Sequence, residues 1–252
     1  MSPIDAHATA TLRRPVVSPM PLAAEAPRHD IYLPIHKGLR SLMAAILVEA
    51  GSMDWQVPAE RDATLARLDE LLALCRGHLE HENRFLHTAI EQRLPGAAAQ
   101  TEADHLEHLA AIDRLRSGAD EVRRASGDAA GAASLALYRD LAVFVAENFL
   151  HMQVEESRNN ASLWAAYSDA EVIGIHDALV ASIPPQEMSR LLQLIVPALA
   201  PAERAQMMLG MRAGMPAAAF EDVLAIARAA LSGRDWSKLR AALAENRSAA
   251  AH

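Results

Sequence analysis

Two pairs of residues in this chain have the types and spacing to hold a cation: His78 with Glu82, and His151 with Glu155, each four residues apart. On an α-helix that spacing stacks both side chains on one face, where they can reach one metal ion or share two. Random placement of 11 histidines would supply about one such pair, and the chain has three. The third, His87 with Glu91, lies about 180° around the helix from His78 at 3.6 residues per turn. It is expected to face solvent. His78, Glu82, His151 and Glu155 instead interrupt stripes of Leu, Phe and Cys. A carboxylate buried in such a stripe is costly unless something compensates its charge.

The elements that must carry these residues are helices. Half of the residues are apolar, with abundant Ala and Leu and only 4% aromatics, a composition that favours an all-α protein. A first helix is expected over about 34–50, with His36, Leu39, Met43, Ile46 and Ala50 on its inward face. A second covers about 62–93 and stops before Pro95-Gly96. A third covers about 100–125 and aligns His105, Leu109, Ile112, Ala119 and Val122. The fourth presents Leu137, Leu141, Phe144, Asn148, His151 and Glu155 and is expected to end at Asn159-Asn160. Short connections between four such helices give an up-down-up-down four-helix bundle over residues 28–160. Residues 1–27, with five prolines and no continuous apolar run, read as a flexible arm. Residues 161–252 form an additional C-terminal helical region. Ser168 and Glu171 have capping-box spacing there, and Pro201, Pro216 and Asp235 mark later helix starts.

Depth along such a bundle brings the donors together. His36 lies near the start of the first helix, His78 and Glu82 in the later part of the second, His105 near the start of the third, and His151 and Glu155 near the end of the fourth. In an antiparallel bundle all six belong to one end. Four imidazoles and two carboxylates suit a first-row transition metal, and each carboxylate can bridge two ions. The carboxylate-dominated Glu-x-x-His plan does not serve both halves, and His81-Glu82 lacks the second histidine of a zinc-protease motif. His108, three residues from His105, can also face inward, as a fifth histidine ligand or an outer hydrogen-bond donor. His105 is preferred because it aligns with Ile112. Glu147, one turn before His151, can hydrogen-bond a ligand imidazole. His81 reads as a partly exposed neighbour, Cys75 as a small core residue, and Met207, Met208, Met211 and Met215 as packing. His7, His29, His176 and His252 receive no role.

The order of a His on the first helix, H-x-x-x-E on the second, a His on the third and H-x-x-x-E on the fourth resembles the hemerythrin-like, or HHE cation-binding, family over about residues 28–160. The phrases IHKGLR and HENRFLHTAIE read like its bacterial members. The resemblance implies metal ligation by His36, His78, Glu82, His105, His151 and Glu155. It implies two non-haem iron ions, oxo- or hydroxo-bridged, with Mn or Zn as substitutes. It implies O2 or NO as the small ligand, in sensing, storage or the iron and redox-stress response. Two departures matter: oxygen-carrying hemerythrins have H-x-x-x-H on the third helix and H-x-x-x-x-D on the fourth. This chain has His105-x-x-His108 on the third, and its His151-x-x-x-Glu155 on the fourth is closer to the bacterial iron-repair and sensor-like branch. The alternatives are a di-iron redox enzyme or repair protein, and a metal-free helical interaction module.

The net charge of −8 and lack of a basic block give no support to nucleic-acid or anionic-membrane binding. A single cysteine fits a cytoplasmic setting, and no long uninterrupted apolar run suggests a membrane span. The C-terminal helices are expected to pack on the bundle or to make a homo-oligomer.

Overall fold

The computed structural model describes residues 28–249, and all regular structure among them is helical. The arm expected over residues 1–27, with His7, and the terminal His252 lie outside the described residues. Helix α1 (Leu33–Ser52) and helix α2 (Pro58–His81) both place proline in the first turn, where its missing N–H leaves no gap in the helical ladder. Past His81 the chain continues through a π-helical turn (Glu82–His87) into α3 (Thr88–Arg93). Gly96, at φ 85°, makes the reversal that follows. Helix α4 (Ala99–Arg124) and helix α5 (Asp128–Val154) form the next hairpin. A second π turn (Glu155–Asn159) joins α5 to α6 (Asn160–Ala166).

Helices α1, α2, α4 and α5 pack as a closed antiparallel ring, each against the next. Their inward stripes fill one core that includes Leu39, Met43, Ile46, Leu71, Ile112, Leu115, Leu141 and Phe144. A second apolar cluster, with Tyr32, Leu86, Ile90, Leu163 and Val172, closes one end of the bundle. Between these two apolar layers lies the polar level described below.

The expected stop at Asn159-Asn160 is not made; helical structure runs on to Ala166. Both asparagines are buried, at 2% and 0% exposure. The Asn159 amide donates to Thr101 Oγ1 at 3.2 Å and the Asn160 amide to Asp30 Oδ1 at 2.9 Å. Tertiary hydrogen bonds thus absorb the side chains that would otherwise terminate the helix. The stretch Asp128–Ala166 is long and apolar enough, by composition, to cross a membrane. It forms the fourth bundle helix and carries the buried His151 and Glu155.

Ser168 and Glu171 form the expected capping box at the start of α7 (Asp169–Ser182). Helices α8 (Pro185–Ala198), α9 (Pro201–Gly214), α10 (Ala217–Ala230) and α11 (Gly233–Ala249) surround a separate core of Leu192, Val196, Met208, Phe220 and Leu239. Met207, Met211 and Met215 pack against it. Helix α8 lies on α1, where the bare backbone of Gly38 admits Leu194: a Cβ there would come within 2.9 Å of Leu194 Cγ. Lys37 on α1 pairs with Glu203 on α9 at 2.6 Å. The C-terminal helices therefore rest on the helix that carries His36.

Candidate metal centre

The bundle brings all six predicted donors to one level, and all but His78 are at most 4% exposed. The two carboxylates stand in the middle with a pair of imidazoles on either side. Glu82 Oε1 faces His36 Nε2 at 3.5 Å and His78 Nε2 at 3.2 Å. Glu82 Oε2 faces His105 Nε2 at 3.6 Å. Glu155 divides its oxygens in the same way, Oε2 toward His36 at 3.5 Å and Oε1 toward His105 at 3.4 Å and His151 at 3.2 Å. Two overlapping donor groups result: His36, His78, Glu82 and Glu155, and Glu82, His105, His151 and Glu155. Glu82 and Glu155 each begin a π turn, a helical irregularity that recurs at functional sites.

Three of the imidazoles are held from outside by their second nitrogen. His36 Nδ1 pairs with Glu156 Oε1 at 2.9 Å, and Arg40 grips the same oxygen. His105 Nδ1 meets Asn83 Oδ1 at 2.7 Å, and His151 Nδ1 meets Asp104 Oδ2 at 3.3 Å. An Nδ1–H donating outward leaves the Nε2 lone pair directed inward, the arrangement that second partners impose on metal-binding histidines.

This donor set fits a cation. His105 Nε2 and His151 Nε2 face each other at 2.9 Å, and with both Nδ1–H groups committed outward, two lone pairs meet. All four oxygens of Glu82 and Glu155, together with His36 Nε2, are buried with no hydrogen-bond partner. Orphaned carboxylates of this kind require compensating positive charge.

The acid–base properties show the same demand. Burial and the neighbouring Glu155 push the Glu82 carboxyl up, but His78 and His36 outweigh them and hold it below the ordinary carboxylate range. Burial likewise raises Glu155, and the adjacent imidazoles of His105 and His151 bring it well below the ordinary range. Burial lowers His36, yet Glu156 and Glu82 lift it to about 9. Burial dominates at His78 and holds it at about 4. The carboxylates thus draw a proton onto His36, the same attraction that a metal ion would satisfy.

Several sequence expectations need correction here. His87 does not face solvent: it is 1% exposed, stacked on His105 with ring centroids 4.7 Å apart. The π turn inserts an extra residue's worth of rotation, so His87 swings back to the inner face. Its partner in spacing, Glu91, does lie outside, accepting from the backbone N–H groups of Gly96 and Ala98 at 2.6 and 2.8 Å. Glu147 is exposed; the outer partners of the histidines are Glu156, Asn83 and Asp104 instead. His108 is buried edge-on to His151 and Phe144, and burial keeps it neutral, at about 4. Cys75 is a core residue whose thiol burial lifts to about 12. Asn83, Asp104 and Glu156 left no readable signal, because each acts across helices.

A family model described as the Hemerythrin HHE cation binding domain matches residues 29–159. No curated protein and no solved structure matches the chain.

Proposed function

The chain belongs to the hemerythrin HHE cation-binding family, and on that premise we propose that it holds two non-haem iron ions and binds O2 or NO at them. The observation that carries this reading is the division of carboxylate oxygens: Glu82 and Glu155 each direct one oxygen to the His36 side and the other to the His105 side. Glu82 and Glu155 would so hold two ions between them, one with His36 and His78 and the other with His105 and His151. Bound iron supplies a redox-active Lewis acid with affinity for diatomic ligands.

The protein's own residues do the rest. His36, His105 and His151 are fixed by Glu156, Asn83 and Asp104, so the donors are set before any ion arrives. Leu39, Met43, Ile112 and Phe144 on one side, and Tyr32 and Leu86 on the other, keep water from the centre. Of Glu147 and His108, the two side chains that could move protons in a redox or repair reaction, Glu147 lies on the solvent face, while His108 is buried edge-on to His151. Ligand binding is the first reading, and a redox or repair reaction using His108 is the second.

Metal analysis of iron-supplemented protein tests it. Two irons per chain are expected, with near-ultraviolet charge-transfer absorption that changes when the reduced protein meets O2 or NO. Glu82→Ala and Glu155→Ala should each lose at least one ion. Less than half a metal ion per chain in the parent protein would overturn the reading.

A further inference from the structure

We propose that His87 is a third imidazole donor on the His105–His151 side, so that five histidines and two glutamates hold two unequal ion positions. The inference rests on the two-ion reading above and deepens it.

His87 is buried, and neither of its ring nitrogens has a hydrogen-bond partner. A neutral imidazole carries one N–H and one lone pair, and an ordinary core histidine satisfies at least one of them. His36, His105 and His151 each do so through Nδ1. His87 has instead been placed at the centre with both nitrogens bare. Its Nε2 lies 3.9 Å from Glu155 Oε1, the oxygen that His105 Nε2 and His151 Nε2 approach at 3.4 and 3.2 Å. Three imidazoles therefore surround one carboxylate oxygen. With metal–donor bonds of about 2.1 Å, two donors on one ion sit roughly 3.0 Å apart at right angles and about 4.2 Å apart when opposite. The His87 spacing falls inside that range.

Local backbone geometry supports the assignment. Five residues of uninterrupted α-helix would turn His87 about 140° away from Glu82. The π turn Glu82–His87, with its wider i to i+5 repeat, brings the two to one face. That single turn then supplies a carboxylate donor in Glu82, the outer anchor of His105 in Asn83, and the bare imidazole of His87. His108 is a different case. It packs edge-on against His151 and Phe144 and makes no ion pair with either glutamate among the described residues. The His36–His78 position is left with two imidazoles against three on the other side.

The test uses the full chain loaded with cobalt(II), whose paramagnetism shifts the exchangeable ring N–H signals of ligand imidazoles out of the diamagnetic proton range. Five such signals are expected in the parent protein and four in His87→Gln. Chelator competition should show one cobalt site weakened roughly tenfold or more in His87→Gln, and added imidazole should restore it in His87→Gly. Glu91→Ala, on the same helix but facing outward, should keep five signals. If His87→Gln does not fold, His108→Gln decides: five signals retained assign the fifth imidazole to His87, and four assign it to His108 and overturn the proposal. Two bound cobalt ions with four signals would overturn the role of His87 while leaving the two-ion reading intact. A protein that takes up no cobalt would overturn both.

Discussion

Replacing Glu156 by Gln separates the two ion positions, because this residue acts on His36 alone among the donors. Its Oε1 accepts from His36 Nδ1 at 2.9 Å and from Arg40, and its side chain is 15% exposed. Glutamine can still accept a hydrogen bond but no longer carries the charge that makes the His36 ring a stronger donor to metal. Loss of such an outer partner weakens metal binding about 10- to 100-fold, or roughly 1.4–2.7 kcal/mol. At saturating metal the same free energy is missing from the folded state. For a chain of this size that lowers the melting temperature of the loaded protein by about 3–10 °C more than that of the metal-free protein. Two stepwise dissociation constants from competition with a coloured chelator, with melting curves of both forms, provide the assay. One constant should weaken and the other stay close to the parent value. Asp104→Asn should weaken the opposite constant, since Asp104 backs His151. If Glu156→Gln lowers the metal-free melting temperature but leaves both constants unchanged, Glu156 serves only as a partner for Arg40 and does not strengthen His36 as a donor.

Glu91→Ala should leave metal content and spectrum unchanged while lowering the melting temperature modestly, because its carboxylate holds the N–H groups of Gly96 and Ala98; loss of iron would contradict its placement. Gly38→Val should cost about 1–3 kcal/mol by forcing a side chain into Leu194 and Ile195, read as a lower denaturation midpoint and faster proteolysis within α8–α11. An unchanged midpoint would mean that α8 does not rest on α1. The metal-free protein should lose stability as pH falls from about 6.5 to 4. His108 stays neutral in the fold, with its pKa at about 4, while the unfolded chain takes up the proton near 6.5. The unfolded state therefore binds more protons in that window, and up to about 3 kcal/mol from this group, present in full above pH 6.5, is lost on acidification. His36 has the opposite sign, contributing fully below 6.5 and losing its contribution as pH rises through about 9. Denaturant titrations across pH, with His108→Gln as comparison, check the acid limb; equal acid sensitivity in both proteins would refute it.

Much of this was legible along the chain because it depends on local spacing. The stripes Leu39–Met43–Ile46 and Leu141–Phe144–His151 repeat at helical intervals, and the breakers Pro95-Gly96 and Gly127 fix the reversals, so the bundle and the common depth of His36, Glu82, His105 and Glu155 follow from helix geometry. A constant 3.6-residue period across Glu82–His87 puts His87 on the outer face, and no residue there announces the π turn that brings it inward. The turn is sustained by what it places against α4 and α5: Glu82 and His87 inward and Asn83 on His105. Asn159 and Asn160 favour a helix end by propensity, but Thr101, Tyr32 and Asp30 reach them only once the bundle has closed. Glu156, Asp104 and Asn83 contact histidines 120, 47 and 22 residues away, and such pairings leave no mark in spacing. The same holds for the C-terminal helices. Their amphipathic patterns require burial somewhere, and the close approach of Leu194 to Gly38 and the Lys37–Glu203 pair, which set α8 and α9 against α1, exist only in the packed structure. Periodicity encodes which face of a helix is apolar; the packed structure alone determines what meets that face, because contact across the chain depends on the positions of all the helices at once.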